Sequence, residues 1–192
     1  MSPEPLHLTI ANIGAAIIYD KEKELIRISK DIDASTLREI LRFCHLFTGL
    51  PKWIRSLNYL KSFLDQSKQK KESRKTLKGL EVFNQIYEED SDLVLKHISK
   101  LDTHAKEWVI DYAYGNVLAK SKLKLIARER ASVLILSLID CPSQSISHLR
   151  SCLRHGVKKT ELIEDCKSFT FLKNEQKNAL LKEINNQYKH ND

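Results

Sequence analysis

The sequence has few of the residues that make tight turns. Its 192 residues include five glycines and four prolines, too few for the many turns of a β protein, while leucine and isoleucine recur with helical spacing along the chain. We therefore predict an all-α protein. A hydrophobic share of 42% is enough for one sizeable core or for two small domains packed together.

Cysteines and long apolar runs are also scarce. The four cysteines form no Cys-x-x-Cys pair and have no metal-ligand spacing, which argues against a disulfide framework and against a zinc site. The longest near-continuous apolar run, residues 133–139, is far shorter than the roughly 20 residues that span a bilayer, and the first residues do not form a signal segment. We expect a cytoplasmic protein with free thiols, no bound metal and no membrane partner.

Basic residues exceed acidic ones, 32 against 25, and much of the excess lies in residues 68–78, which read KQKKESRKTLK. This stretch has neither interleaved aromatic residues nor a recognition motif, so we do not predict a nucleic-acid partner. The composition favours a solvated basic linker over residues 65–76.

The stretch from residue 123 to residue 164 holds the candidate chemistry. Its pattern predicts three helices, with these bounds and caps: residues 122–139 after Ser121, residues 143–155 up to Gly156, and a third helix capped by Thr160. The Asp140-Cys141-Pro142 sequence is predicted to separate the first two.

Ionisable side chains on these helices have a helix-compatible spacing. His148, Cys152 and His155 fall at i, i+4 and i+7 and share one helix face, while Glu129 lies 19 residues before His148 on the preceding buried helix. A carboxylate beside a histidine fixes its tautomer, so Glu129 and His148 can form a proton-transfer pair. The spacing leaves open an alternative, in which Glu129 pairs with a neighbouring arginine and His148 is structural.

Several short motifs follow one another in a defined order: residues 80–83, residues 112–115, Arg128-Glu129-Arg130, Pro142 to His148, His148 to Val157, and the acidic pair Glu161 and Glu164. Together they resemble the carboxymuconolactone decarboxylase superfamily, which includes the alkylhydroperoxidase D-like proteins. The resemblance covers roughly residues 78–165. It then fades, because residues 169–174 stand where members usually have a tyrosine and a Gly-x-Pro.

The resemblance implies an alkylhydroperoxidase D-like multi-helical bundle and a cofactor-free enzyme that decarboxylates a small carboxylated substrate. Glu129 and His148 fall on positions that the family uses in its active site. Arg128 or Arg130 is expected to bind a substrate carboxylate, since guanidinium groups bind carboxylates bidentately, and Gln144 is a further candidate for substrate binding.

Two alternatives stay open. Peroxidase-like members of the family have a Cys-x-x-Cys before the histidine. Here Cys141 keeps the first position and Gln144 takes the second, so a thiol-dependent hydroperoxidase would need Cys152 as its other thiol. The remaining hypothesis is a helical oligomeric scaffold whose catalytic site has decayed.

A degenerate internal repeat is also present. Residues 28–57 resemble the later part of the family, and a shift of 125 positions aligns three pairs: Thr36 with Glu161, Glu39 with Glu164, and Lys23 with His148. Thr36 and Glu39 are predicted to form a capping box. The first repeat is expected to share the packing of the second without its chemistry.

The expected organisation is therefore two degenerate helical repeats in one chain. It comprises a degenerate N-terminal helical repeat over residues 5–64, the basic linker, and a carboxymuconolactone decarboxylase-like domain over residues 77–188. The two repeats are expected to pack against each other. The resemblance also implies a homo-oligomer, and the apolar side of the last helix is a candidate contact surface.

Overall fold

The structure is a computed structural model, and it describes residues 4–66 and 78–189. Within these ranges the chain is all-helical, as predicted, and no strand is present. The chain divides into two compact units, one formed by the described parts of residues 1–67 and 123–192 and the other by those of residues 68–122. The predicted domain over residues 77–188 is thus shared between the two units. Most of the predicted linker, from residue 67 onward, lies outside the described residues.

In the part of the chain that the structure describes, the first unit contains eight helices: α1 (Leu6–Ile18), α2 (Glu22–Ser29), α3 (Ala34–Tyr59), α4 (Lys61–Leu64), α8 (Leu125–Leu138), α9 (Pro142–Arg154), α10 (Lys159–Ser168) and α11 (Asn174–Lys189). The second unit contains α5 (Gly79–Tyr87), α6 (Ser91–Leu101), α7 (Thr103–Glu107) and a π-helical segment (Trp108–Leu118). Among the described residues, no helix combines the length and the apolar composition needed to cross a bilayer.

The core of the first unit is built around α1 and α8, which pack against each other. Both helices are buried on nearly all sides, and α1 also packs on α3. The contact is close because α1 has Gly14 at the crossing, where an added Cβ would lie 2.8 Å from Cδ1 of Ile135. Each fully buried leucine or isoleucine stabilises such a core by about 1.5–3 kcal/mol.

The helices that precede the second unit in the chain and those that follow it have the same arrangement. The turn after α1 is closed by Tyr19 N to Ala15 O, Asp20 N to Ile17 O and Lys21 N to Ala16 O, and the turn after α8 repeats these three bonds 120 positions later. The central residue of each turn is an aspartate with positive φ, 52° at Asp20 and 56° at Asp140. Asparagine and aspartate tolerate this left-handed region better than other non-glycine residues. We call α1, α2 and α3 the first copy, and α8 to α11 the second copy.

The two copies also agree in later elements. The start of α3 corresponds to α10, and Leu37 N to Asp33 O has its counterpart 125 positions on in Leu162 N to Lys158 O. Gly49, with φ of 75°, kinks α3, and the part of α3 after this kink corresponds to α11. The main difference is in length, since α2 has 8 residues and α9 has 13.

Three predicted caps are wrong. The N-cap of α3 is Asp33, whose carboxylate accepts from the backbone of Ser35 and Thr36, while Glu39 is buried and binds Arg42. An aspartate three positions before Thr36 provides the stronger cap, and it starts the helix earlier.

The other two wrong caps precede α8 and α10. Ser121 donates its backbone N–H to Leu118 O and belongs to the preceding turn, so α8 begins only after Lys124. The N-cap of α10 is Lys158, whose backbone N–H donates to the Glu161 carboxylate, and Thr160 lies inside the helix. By contrast, Gly156 ends α9 with φ of 77°, as predicted.

The second unit is held by a close helix crossing and an aromatic cluster. An added Cβ on Gly79 of α5 would overlap the carbonyl oxygen of Ile110 in the π-helical segment. Phe83 stacks on Tyr87 with ring centroids 4.3 Å apart and meets Tyr114 edge-on at 4.8 Å. A π-helix of 11 residues is unusual, because most π-helical segments are single turns.

Candidate functional site

The predicted pair is formed in the second copy. Nδ1 of His148 lies 2.8 Å from Oε2 of Glu129, and the two side chains are 12% and 4% exposed. Helices α8 and α9 pack against each other and are joined by a short connection. A residue in α8 two to three helical turns before this connection therefore faces a residue in α9 about two helical turns after it. The predicted approach of Glu129 and His148 to hydrogen-bonding distance is confirmed. The same prediction placed the pair at the wall of a pocket, and neither residue lines the cavity described below.

The hydrogen bond determines which ring nitrogen of His148 carries the proton. A carboxylate only accepts hydrogen bonds, so Nδ1 is the protonated nitrogen of the neutral ring and Nε2 is the acceptor. Within residues 4–66 and 78–189, Nε2 makes no hydrogen bond. Nδ1 of the ring is therefore bonded to Glu129, and Nε2 can accept a hydrogen bond from another molecule.

A second buried network begins at the neighbouring residue, Arg130. Its Nε and Nη2 donate to Asp165 at 2.7 and 2.8 Å, and its Nη1 donates to Glu161 at 3.0 Å. Asp165 also contacts Nε2 of His7 at 2.7 Å. This network joins α1, α8 and α10. Since three nitrogen atoms of Arg130 bind carboxylates of the protein, its guanidinium holds helices together.

Charge and burial oppose each other in this network. Burial by itself would raise the pKa of Asp165, but the hydrogen bonds from His7 and Arg130 hold that pKa below its usual value. For Arg130, burial would lower the pKa, and the bonds and charges of Asp165 and Glu161 raise it instead. Both groups are therefore charged at neutral pH and stabilise each other.

The remaining sequence-predicted residues differ in their exposure. Cys152 is fully buried, and burial together with the negative charge of Glu129 raises the pKa of its thiol well above the usual range. Cys141 is half-buried at the N-cap of α9, and Gln144 is exposed in the first turn of that helix. Arg128 is buried in α8.

A cavity of about 250 Å³ lies between α8, α9 and α11. It is lined by Ser137, Asp140, Pro142, Ser145, Ile146, Leu149, Gln176, Ala179, Leu180 and Glu183. Neither Glu129 nor His148 belongs to this lining, although Ser145 and Leu149 are close neighbours of His148 along α9. The cavity and the Glu129–His148 pair are therefore two separate features of the second copy.

Sequence reasoning missed His7 and Asp165. Asp165 stands between Leu162 and Cys166 on the buried face of α10, where the helical pattern would place an apolar residue. A carboxylate at such a position signals a buried partner, because an unpaired buried charge is very costly. The identity of that partner, 158 residues away in α1, has no signal in the sequence.

Comparisons of this chain with protein-family models, with curated proteins and with solved structures each gave no match.

Proposed function

We propose that this protein is an acid–base enzyme of the carboxymuconolactone decarboxylase-like type, acting on a small carboxylated substrate through Glu129 and His148. The observation that supports this proposal is the buried 2.8 Å contact between Oε2 of Glu129 and Nδ1 of His148, with Nε2 of the ring left for a substrate. Histidine is the side chain best suited to proton transfer near neutral pH, and a carboxylate partner orients it. The alkylhydroperoxidase D-like bundle and the homo-oligomer belong to the same proposal.

The reaction assigns one task to each residue. The bond between a substrate carbon and its carboxylate breaks, CO₂ leaves, and the electron pair stays on that carbon until Nε2 of the His148 imidazolium gives it a proton. Glu129 faces the positive ring and holds its orientation. Gln144, exposed one turn before His148 on α9, is the residue that donates to the substrate.

The structure changes the roles of the two arginines in this proposal. Arg130 is bound to Asp165 and Glu161, so it acts as a positioning residue for α8, next to Glu129 in the chain. Of the two arginines that the resemblance offers for the substrate carboxylate, the proposal assigns Arg128, which is buried on the same helix. Guanidinium binds carboxylate in a bidentate geometry that an ammonium group does not reproduce.

The test is CO₂ release from carboxymuconolactone and from a panel of small lactone and keto carboxylic acids. We expect His148→Asn and Glu129→Gln to lower kcat by about 10²- to 10⁴-fold, the usual contribution of general acid–base catalysis. His155→Asn is the matched control, because His155 shares the face of His148 but binds only the backbone carbonyl of Ser151 within the described chain. Circular dichroism of each variant checks that the helices are retained.

The alternatives give different results. Full activity of the His148→Asn variant would reject the assignment of the site. A wild-type protein inactive on the whole panel would favour the decayed scaffold. The thiol-dependent hydroperoxidase is not favoured, because burial disfavours the thiolate of Cys152 and the thiolate is the reactive form. A mass in solution of two or more times 22.2 kDa, measured by light scattering, would support the oligomer.

A further inference from the structure

We infer that the cavity of the second copy binds a small organic cation, namely an amine carried on a compact apolar body. The inference comes from a comparison of this cavity with the equivalent place in the first copy. It does not depend on the Glu129–His148 pair.

The two places correspond residue by residue. In the first copy, the space between the end of α1, α2 and the second part of α3 is lined by Ile17, Asp20, Glu22, Leu25, Lys52, Arg55, Ser56 and Tyr59, among others. In the second copy, the same positions of α8, α9 and α11 are Ser137, Asp140, Pro142, Ser145, Gln176, Ala179, Leu180 and Glu183. The α1–α8 and α2–α9 positions are 120 apart and the α3–α11 positions 124 apart, and buried residues of α9 and α11 follow those of the first copy at these spacings. Lys23 therefore corresponds to Ser143, and its predicted alignment with His148 is wrong.

In the first copy, the protein fills this space with its own cations. Nζ of Lys52 lies 3.2 Å from Oδ2 of Asp20, and Nη1 of Arg55 lies 3.0 Å from Oδ1 of the same carboxylate. The space that remains is only about 10 Å³. Asp20 therefore has two positive partners, and no room is left for a ligand.

In the second copy, both cations are replaced by neutral side chains. Lys52 donates to Ile18 O and binds Asp20, and Gln176 makes the equivalent contacts through Nε2, to Leu138 O at 3.0 Å and to Oδ1 of Asp140 at 2.9 Å. The amide thus keeps the geometry and loses the charge. Ala179 stands where Arg55 stands in the first copy, which removes the side chain that occupied the space.

The lining keeps its negative charge although the cations are lost. Pro142 replaces Glu22 and Glu183 replaces Tyr59, so the cavity still has two carboxylates, those of Asp140 and Glu183, and no basic residue among the lining residues that the structure describes. This is unexpected in a chain with a net charge of +7. A carboxylated substrate would be repelled here, so this cavity is distinct from the substrate site of the proposed enzyme.

The rest of the lining determines the size and polarity of the ligand. Pro142, Ile146, Leu149 and Leu180 give it an apolar wall, and the hydroxyls of Ser137 and Ser145 are already bonded to Val133 O. An apolar cavity of about 150 Å³ can hold benzene, so about 250 Å³ can hold one ring with a short side chain. The ammonium group of such a molecule would take the place that Arg55 has in the first copy.

The experiment uses the full chain and three probes of similar shape: 2-phenylethylamine, 2-phenylethanol and phenylacetate. Binding is followed by NMR chemical shifts and by isothermal titration calorimetry at pH 7. We expect the amine to bind about tenfold more tightly than the alcohol, since a hydrogen bond to a charged group is stronger than a neutral one, and phenylacetate to bind most weakly. Equal affinity for amine and alcohol would overturn the inference, as would the absence of saturable binding by all three.

Two arginine substitutions test whether a cation inside the cavity, and not a nearby positive charge alone, prevents amine binding. Ala179→Arg restores the cation of the first copy at an exposed position of α11, and we expect it to abolish amine binding. Asn178→Arg is the matched control, with the same charge on the adjacent exposed residue outside the cavity lining, and it should bind the amine like the wild type. A folded Ala179→Arg variant with unchanged amine affinity would contradict the proposal.

Substitution of the carboxylates completes the test. Asp140→Asn suits the positive φ of this position, and together with Glu183→Gln it should remove the preference for the amine while leaving the affinity for 2-phenylethanol unchanged. A double variant that still prefers the amine tenfold would show that the carboxylates do not recognise the cation. A failure here leaves the decarboxylase proposal untouched, because neither residue contacts Glu129 or His148.

Discussion

At the scale of the residue, Asp165 is a buried carboxylate with partners on two other helices. Its carboxylate is 5% exposed and holds both His7 of α1 and Arg130 of α8. Removing one partner from a buried, hydrogen-bonded charge network leaves the others uncompensated. Asp165 therefore adds a buried ionic link between the two copies to the apolar packing of α1 on α8.

We expect Asp165→Asn to lower the free energy of unfolding by about 3 kcal/mol at pH 7, because His7 and Arg130 lose their anionic partner. Urea unfolding followed by circular dichroism measures the change. Glu164→Gln is the control, since Glu164 is exposed on the same helix and accepts only from Ser168 within the described chain. An Asp165→Asn variant as stable as this control would contradict the expectation.

The same variant predicts a pH dependence. The pKa of Asp165 is lower in the folded protein than in the unfolded chain. Its contribution to the free energy of unfolding is therefore fully present above the pKa of the unfolded chain, about 4, and is lost as the pH falls through the pKa of the folded protein. The wild type should lose stability below about pH 4, and the Asp165→Asn variant should lose less over the same interval.

At the scale of the element, the approach of α1 to α8 depends on the missing side chain of Gly14. Glycine normally weakens a helix by about 1 kcal/mol relative to alanine, so its presence inside α1 has to be explained by packing. Ile135 of α8 fills the space that a Cβ would need. The two central helices can thus pack closely while both stay helical.

Gly14→Leu should therefore lower the free energy of unfolding by about 1–3 kcal/mol or more, as overpacked cores do, although leucine is the better helix former. Thermal unfolding measures this. Gly156→Ala is the comparison, because no atom lies within 4 Å of its added Cβ and only the positive φ of 77° is strained, which costs about 1–2 kcal/mol. A stabilised Gly14→Leu variant would show that α1 and α8 do not meet at this residue.

The elements also show what could be predicted from sequence and what could not. The bounds of α1 and the stop of α9 at Gly156 were predictable, because apolar periodicity and glycine at a C-cap are local signals. The caps of α3, α8 and α10 were not, since several neighbouring polar residues can serve as caps and the choice depends on which backbone N–H group is left unsatisfied. The Glu129–His148 contact was predicted from the resemblance of these two positions, on consecutive helices, to the family's active site, since their spacing by itself also allowed a structural role.

At the scale of the whole molecule, the first unit is made of two chain segments that are separated in sequence by the second unit. The sequence-based domains, 5–64 and 77–188, followed the linker-like composition between them. Amino-acid composition does not indicate which helices pack together, so it could not predict that α8 covers the apolar surface of α1. The two copies are therefore expected to unfold together, although the sequence between them belongs to another unit.

The two tryptophans allow this to be measured. Trp108→Phe leaves Trp53 of the first copy as the only tryptophan, and Trp108 is an exposed residue of the other unit. In this background, Ile184→Ala in α11 should shift the urea midpoint of Trp53 fluorescence downward by about 1–2 M, because a buried isoleucine is lost from the shared core. Asn185→Ala, exposed on the same helix, is the control. An unshifted Trp53 transition would mean that residues 4–66 unfold on their own.

The position of the second unit between the two copies affects the protein during its synthesis. Helix α1 leaves the ribosome early, but the end of α8, one of its packing partners, is made 120 residues after the end of α1. At translation rates of about 5–20 residues per second, the surface of α1 that α8 covers stays exposed for roughly 6 to 24 seconds. Nascent chains of this protein are therefore expected to be substrates for chaperones that bind exposed helices, and this dependence should disappear once α8 has emerged.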